Sequence, residues 1–457
     1  MIPRALGIAL LVMVPALAAA QARGAPGGPC AFRFFPRYAT APRLNVTTLP
    51  SGARHIFLGG GVRAVCDAQN ITVVADSLES YEDSRITNLI GNVHYTEPRL
   101  TLDAQRLTYW ENEERLRAEV DVDATLPSGT NLTGPVVEYF RVARGIRPRS
   151  RMVAPQRPTI RIVERDGAGQ TSEPIIVVAN RVVMEADSLV YAAGNVVLTR
   201  PDMVARGDSA LVDNGTEFAR LMRQPVVEGK GERPFTLTGR IIDVFARDRK
   251  LERAISMGEA TALSDSTTIA ADTLDFRLVD AQLERAFAWG PTRARVTSPT
   301  YDVLADSLDV RMPNQRVERV YAVGEAFIES DPDDTRFRSE ERDWLRGDTI
   351  IAEFDTTQAA QDDSAGVAIK LLNAIGNARS FFQLVPRDTT VGRPAINYVT
   401  GRTITVDFAN REVQRVSVLD QASGVYLEPN ERAAATPAAR PQTTTPVPAS
   451  RPPGGTP

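Results

Sequence analysis

A chain of 457 residues with 53 Lys+Arg against 57 Asp+Glu carries a formal net charge of only −4, too little by itself to drive binding to a nucleic acid. Its 43% hydrophobic and 24% charged residues describe a globular chain with room for two or three domains or one elongated array. With 2 His and 2 Cys it offers no multi-zinc or haem site, and no His pair unless His55 and His94 meet.

At the start, Arg4 precedes an apolar run from Ala5 to Ala20, and Ala18, Ala20 and Ala22 offer two A-x-A cleavage sites. Residues 1–22 therefore read as a secretory signal peptide; an uncleaved anchor is the alternative, although the run falls short of the roughly 20 residues that span a bilayer. No later segment is apolar enough to cross as a helix, so the mature chain is expected to have no membrane-spanning segment. Export would place Cys30 and Cys66 in an oxidising compartment, where a disulfide between them would be worth about 3 to 4 kcal/mol by chain entropy. Two free thiols, or a bond to another protein, remain open alternatives.

Internal repetition governs the rest of the chain. One cassette reads apolar, any, small, polar, any, apolar, any, apolar: VVADSLES from Val73, LDAQRLTY from Leu102, MEADSLVY from Met184, ARGDSALV from Ala205, LTGRIIDV from Leu237, IAADTLDF from Ile269, VLADSLDV from Val303, LRGDTIIA from Leu345 and VTGRTITV from Val399. Its small residues Gly207, Gly239, Ala271 and Ala305 follow one another at 32, 32 and 34 residues. A second cassette lies between copies and carries a Gly-polar step, as in LERAISMGEA from Leu251, VERVYAVGEA from Val317 and IKLLNAIGNA from Ile369, with shorter GNV relatives at Gly91 and Gly194.

Both cassettes alternate at period 2 between turn residues, so the expected fold is all-β, built from repeated short strands. In the first cassette the apolar positions run i, i+2, i+5, i+7. If Ile269, Ala271, Leu274 and Phe276 are to face one interior, the backbone must bulge or turn a corner at Asp272 and Thr273. Stacked cornered strands give a folded-over antiparallel sheet or a β-solenoid.

Residues 141–174 are rich in Arg and Pro and read as an insertion or linker between a first β unit (30–140) and a main repeat array (175–429). Asp331 to Arg346 reads as a charged insertion. Residues 430–457 lack apolar periodicity and read as a disordered tail rich in Pro, Thr and Ala.

No catalytic constellation emerges, and no cofactor or metal site is called. Gly59, Gly60 and Gly61 lack the Lys-Ser/Thr of a phosphate loop. Asp331, Asp333 and Asp334 lack the glycine and terminal glutamate of a calcium loop. The recurrent Asp76, Asp187, Asp208, Asp272, Asp306 and Asp348 give way to Gln105, Arg240 and Arg402 in other copies, so the position calls for a polar corner residue rather than an acid. Arg147, Arg149 and Arg151 suit either phosphate binding or a solvated linker. The apolar column Leu78, Leu107, Leu189, Ile242, Leu274, Leu308, Ile350 and Ile404 forms either a dry core or two faces that hold a hydrocarbon chain between them.

The ADSL, ADTL and GDT corners with intervening GNV or GEA turns resemble the OstA-like family of periplasmic lipopolysaccharide-transport proteins, from about Val62 to Leu427. The resemblance implies a folded-over antiparallel β-jellyroll (a "β-taco") whose open groove shields acyl chains. It also implies a periplasmic location and edge-strand pairing with other OstA-like transport proteins. It would place Leu78, Leu107, Tyr109, Leu189, Tyr191, Leu274, Phe276, Leu308 and Val310 on the groove wall, with Ile350 and Ile404 continuing it, and implies no catalytic residue. The expected function is non-enzymatic carriage of lipopolysaccharide or a related glycolipid. A structural or adhesive β-solenoid with a dry core is the alternative. No nucleic-acid partner is expected.

Overall fold

Alternation at period 2 becomes strand almost everywhere: the described residues form 28 β-strands and three single-turn 3-10 helices, with no α-helix. The computed structural model describes residues 32–37, 43–143, 145–163, 174–230, 234–248, 250–264, 266–280, 282–332, 337, 339–355, 369–386, 393–409 and 412–429. The expected signal peptide, Cys30, Asp333, Asp334 and the tail lie outside them. None of the described helices is long and apolar enough to cross a membrane. One compact unit comprises residues 1–296 with 311–315, and a second comprises 297–310 with 316–457.

In both units strands pair antiparallel, mostly with their sequence neighbours, and the long strands bend midway. In Ile71–Tyr81, the buried Ile71, Val73 and Ala75 share one side, and Leu78 takes that same side after Asp76 and Ser77. The ladder records the step: Val62 opposes Ala75, but the next pair is Gly59 with Ser77. Such a slip lets apolar residues before and after the bend share one concave side.

The intervening strands turn the same corner differently, with two successive residues at positive φ. Gly91 and Asn92 have φ of 80° and 44°, Gly258 and Glu259 76° and 55°, and Gly376 and Asn377 77° and 46°. Glycine is needed at Gly91 for a second reason as well, because a Cβ there would lie 2.5 Å from Asp76 Oδ2. The same apposition recurs between Gly290 and Asp272, Gly324 and Asp306, and Gly376 and Asp348. The two cassettes are thus the two halves of one corner. The small residue leaves room at the bend, and the polar residue satisfies groups around it: Asp76 accepts from Asn92 Nδ2 at 2.8 Å and from Arg37 Nη1 at 2.9 Å.

Eight of the nine cassette copies lie at such corners, and MEADSLVY does not. Residues 186–188 are instead the turn between Arg181–Glu185 and Leu189–Thr199, with Ala186 at φ 51°. Small-Asp-Ser suits a tight turn as well as a corner. The corner at this level is Asn180, in VVANRVVM from Val177, and its amide lies against Gly194. LTGPVVEY from Leu132 is a further corner, where the ladder steps from Glu119–Val136 to Val122–Gly134.

The Arg/Pro-rich segment expected to divide two units contributes strands. Arg151–Pro155 pairs with Asn131–Phe140 and Arg181–Glu185, and Thr159–Ile162 pairs with Asn131–Phe140 and Ile175–Val178. Its apolar residues Met152, Ala154, Ile160 and Ile162 supply the period-2 pattern, at 3% exposure or less, and Pro155 and Pro158 flank the bend between its two strands.

Candidate functional site

Because the long strands turn the same corner and the short ones each pair with one half of a long strand, the first unit has two walls, and each carries a long, mostly apolar cross-strand row of side chains on the inner side. On the first wall the pairing runs Phe34, Ala64, Val73, Tyr95, Leu102, Ala124, Leu132, Ile160, Val177, Leu198, Ala205, Val227, Leu237. On the second it runs Leu44, Leu58, Leu78, Leu89, Leu107, Ala118, Val137, and, further along, Ala154, Val182, Ala192, Ala210, Leu221, Ile242, Ser256, Leu274. The second unit has its own rows, Ile328, Leu345, Ser380, Val399 and Ala322, Ile350, Ala374, Ile404.

Exposure falls steeply from the edge inward. Leu44 is 62% exposed, Leu58 6%, Leu78 3% and Leu107 0%. Phe34, which begins the other row, is 47% exposed, and its neighbour Ala64 3%. A cleft of about 280 Å³ at this edge is lined by Leu44, Leu58 and Leu78 together with Phe57, Asn45 and Glu79. Farther in, the rows are shut. Leu274 in the first unit, and Ile350 and Ile404 in the second unit's own row, are fully buried, so each inner side is packed by its own side chains rather than open as the resemblance implied, and a guest would have to part the walls.

Of the residues singled out for the groove, Leu78, Leu107, Leu274, Leu308, Val310, Ile350 and Ile404 are buried on the inner side. Tyr109 and Phe276 follow Leu107 and Leu274 by two residues on the same side and are half-buried. Leu189 and Tyr191 have the opposite parity. Their neighbours Val190 and Ala192 are the inward residues, each at 3% exposure, whereas Tyr191 is 42% exposed. This follows from the turn at 186–188, which shifts the strand's phase relative to the cassette.

A polar cluster that sequence reasoning missed closes the mouth between the walls in the first unit. Glu97 and Gln69 belong to the free margin of the first wall, and Tyr109, Glu114, Tyr139 and Arg141 to that of the second. Tyr139 Oη donates to Glu97 Oε1 at 2.7 Å, and Arg141 Nε donates to Glu97 Oε2 at 2.8 Å. Arg141 also donates to Glu114 Oε2 at 2.7 Å and Gln69 Oε1 at 2.8 Å. Tyr95 donates to Glu97 Oε2, and Tyr109 to Glu114 Oε2, each at 3.0 Å. Tyr95 and Tyr139 are 3% exposed and Glu97 8%.

Burial, then the charge of Glu97, hold the Tyr95 and Tyr139 hydroxyls well above the ordinary phenol range, so both remain donors. Burial and Glu114 do the same for Tyr109. Burial opposes the Arg141 cation, but Tyr95, Glu97 and Glu114 more than offset this and raise its pKa. Of its members, the sequence singles out Tyr109, as a groove-wall residue, and position 141, as the head of the Arg/Pro-rich segment, without joining them. Glu97 lies 42 residues from Tyr139 and 44 from Arg141 in sequence, a separation no local pattern spans.

The other flagged residues take local roles. His55 bonds Asp83 at 3.1 Å and His94 bonds Asp103 at 2.6 Å, so the two histidines have separate partners. Arg147 lies 4.9 Å over the Phe140 ring and donates to the Arg141 carbonyl at 2.7 Å, while Arg149 and Arg151 are exposed. Within the charged stretch from Asp331, Arg342 bridges Asp302, Glu329 and Asp331 at 2.9, 3.1 and 2.7 Å. Cys66 is fully buried and disulfide-bonded. Compared with protein-family models and with curated proteins, the chain matches none.

Proposed function

We propose that this chain is a periplasmic, non-enzymatic carrier or bridge that shields the acyl chains of lipopolysaccharide or a related glycolipid on the way to the outer membrane. The observation that carries this reading is the pair of long, mostly apolar inner rows, which begin at the exposed Phe34 and Leu44 and continue inward over many strands. An acyl chain crossing water forgoes about 0.8 kcal/mol of burial for each exposed methylene. A path that is apolar along its whole length removes that cost, and the work requires no catalytic group.

The edges support the role of a bridge. Strand Arg43–Thr48 is exposed along its whole length, as is Ser423–Leu427, where Val425, Tyr426 and Leu427 are 52%, 47% and 54% exposed. Unpaired strand edges of this kind accept strands from a partner, here other OstA-like transport proteins. A second reading, a structural β-solenoid with a dry core, is favoured by the complete burial of Leu107, Leu274, Ile350 and Ile404.

Photocrosslinking amino acids at Phe276 and Leu308 in cells separate the two readings. Crosslinks to glycolipid uphold the carrier. Crosslinks confined to the protein itself, together with lipid-free protein after gentle purification, overturn it.

A further inference from the structure

We propose that the cluster of Gln69, Tyr95, Glu97, Glu114, Tyr139 and Arg141 is a releasable latch across the mouth of the first unit, and that its opening admits an apolar guest to the inner rows. The latch rests on the proposed carriage of acyl chains only for what enters; that the walls part here rests on the geometry alone.

Three hydrogen bonds join the margins of the two walls: Tyr139 to Glu97, Arg141 to Glu97 and Arg141 to Gln69. Arg141 also ties to Glu114 on its own wall, so a single guanidinium gathers both margins. On the rows behind the seam lie Leu102, Leu107, Ala118 and Val137, all fully buried.

The chemistry of the seam differs from that of the rows behind it. Apolar side chains that separate must expose hydrocarbon to water, whereas groups joined by hydrogen bonds can exchange each bond for one to water. Water has a route to these groups, because the Arg141 side chain is 14% exposed and that of Glu114 29%. The carboxylate of Glu97 is otherwise expensive to bury, and its three donors offset that cost only while the margins are together. Two tyrosines held as obligate donors and one cation bonded to both margins make closure all-or-none: losing Arg141 leaves Glu97 buried with only neutral donors. The seam therefore has two arrangements, closed around Glu97 or open with its groups hydrated, and the apolar rows behind it become reachable only in the second.

Hydrogen exchange read by mass spectrometry on the full chain tests this, comparing the wild type with Arg141→Gln and with the milder Tyr139→Phe, which removes one cross-wall bond and keeps the ring. Binding of cis-parinaric acid is read in parallel by its fluorescence. We expect exchange about tenfold faster at residues 93–97 and 136–141 in Arg141→Gln, corresponding to ~1.4 kcal/mol. A smaller increase is expected in Tyr139→Phe, with residues 269–279 unchanged, and acyl-probe binding should rise in the same order. Unchanged exchange in both variants, or faster exchange spread evenly over residues 43–296, overturns the latch. Local opening without any gain in probe binding upholds the latch and overturns the carrier function, whereas a gain in binding without local opening overturns the latch.

Discussion

Gly91 stands directly over the carboxylate of Asp76 on the neighbouring strand, with space for a hydrogen atom and nothing larger. Two separate requirements meet there, a backbone at φ 80° and a missing Cβ. Gly91→Ala is expected to lower stability by about 2 to 3 kcal/mol, combining left-handed backbone strain with the contact. In an Asp76→Ala background the carboxylate contact is gone while the approach to the residue-76 Cβ at 3.0 Å and the strain remain, so the cost should be roughly 1 kcal/mol less. Denaturant midpoints at constant slope give both values, and an equal cost in the two backgrounds would show that the contact contributes nothing.

Val120 occupies the same corner position without being a glycine. It sits at φ 67°, followed by Asp121 at 53°, and is 51% exposed. A β-branched residue is strained in that region, and little apolar burial is lost by removing it. Val120→Gly should therefore raise stability by about 1 kcal/mol, seen as a higher thermal midpoint. An unchanged or lower midpoint would mean that the valine's contacts outweigh its backbone strain.

The corner was legible in the sequence because a phase slip leaves a one-dimensional signature: Ala271 and Leu274 can share a side only if the chain bends between them, and both are buried on the inner side. Two corners were hidden, since Asn180 and Pro135 occupy the polar position that the pattern associates with Asp, Gln or Arg. One was assigned wrongly, because Ala-Asp-Ser at 186–188 meets the needs of a turn equally well. The closure of the inner rows was not legible. Whether two apolar walls touch depends on distances across the interior, about which period and spacing carry no information. The cluster around Glu97 was invisible for the same reason, as its members come from three strands and the connections beside them.

The parity of the strand Leu189–Thr199 is testable by paired substitutions. Leu107→Ala removes a fully buried inner side chain and should cost about 2 to 5 kcal/mol. Tyr191→Ala, on the outer side and 42% exposed, should cost under about 1 kcal/mol, although the cassette alone ranks the two positions alike. Equilibrium denaturation in urea distinguishes them. A Tyr191→Ala cost as large as that of Leu107→Ala would mean that Tyr191, rather than Val190 or Ala192, faces inward.

Asp343, at the start of the strand Asp343–Phe354, is 9% exposed, and its Oδ1 accepts from the Gln383 backbone N–H at 2.8 Å and from Gln383 Nε2 at 3.3 Å. Burial pushes its pKa up to about 6, against the lowering effect of the two Gln383 hydrogen bonds. A folded-state pKa above the unfolded one means that the fold favours the protonated acid. Its contribution is fully present below about pH 4 and is lost as pH rises through 6, a difference on the order of 3 kcal/mol. Asp343→Asn keeps an oxygen acceptor for Gln383 and carries no charge at any pH. The variant should be more stable than the wild type at pH 7 by about 1 to 3 kcal/mol and should match it near pH 4. Trp344 is the adjacent residue, so its fluorescence during urea unfolding, with Trp110 and Trp289 replaced by Phe, reports on this strand. Parallel pH profiles for the two proteins between pH 4 and 7 would show that the Asp343 carboxylate is ionised without cost in the folded chain.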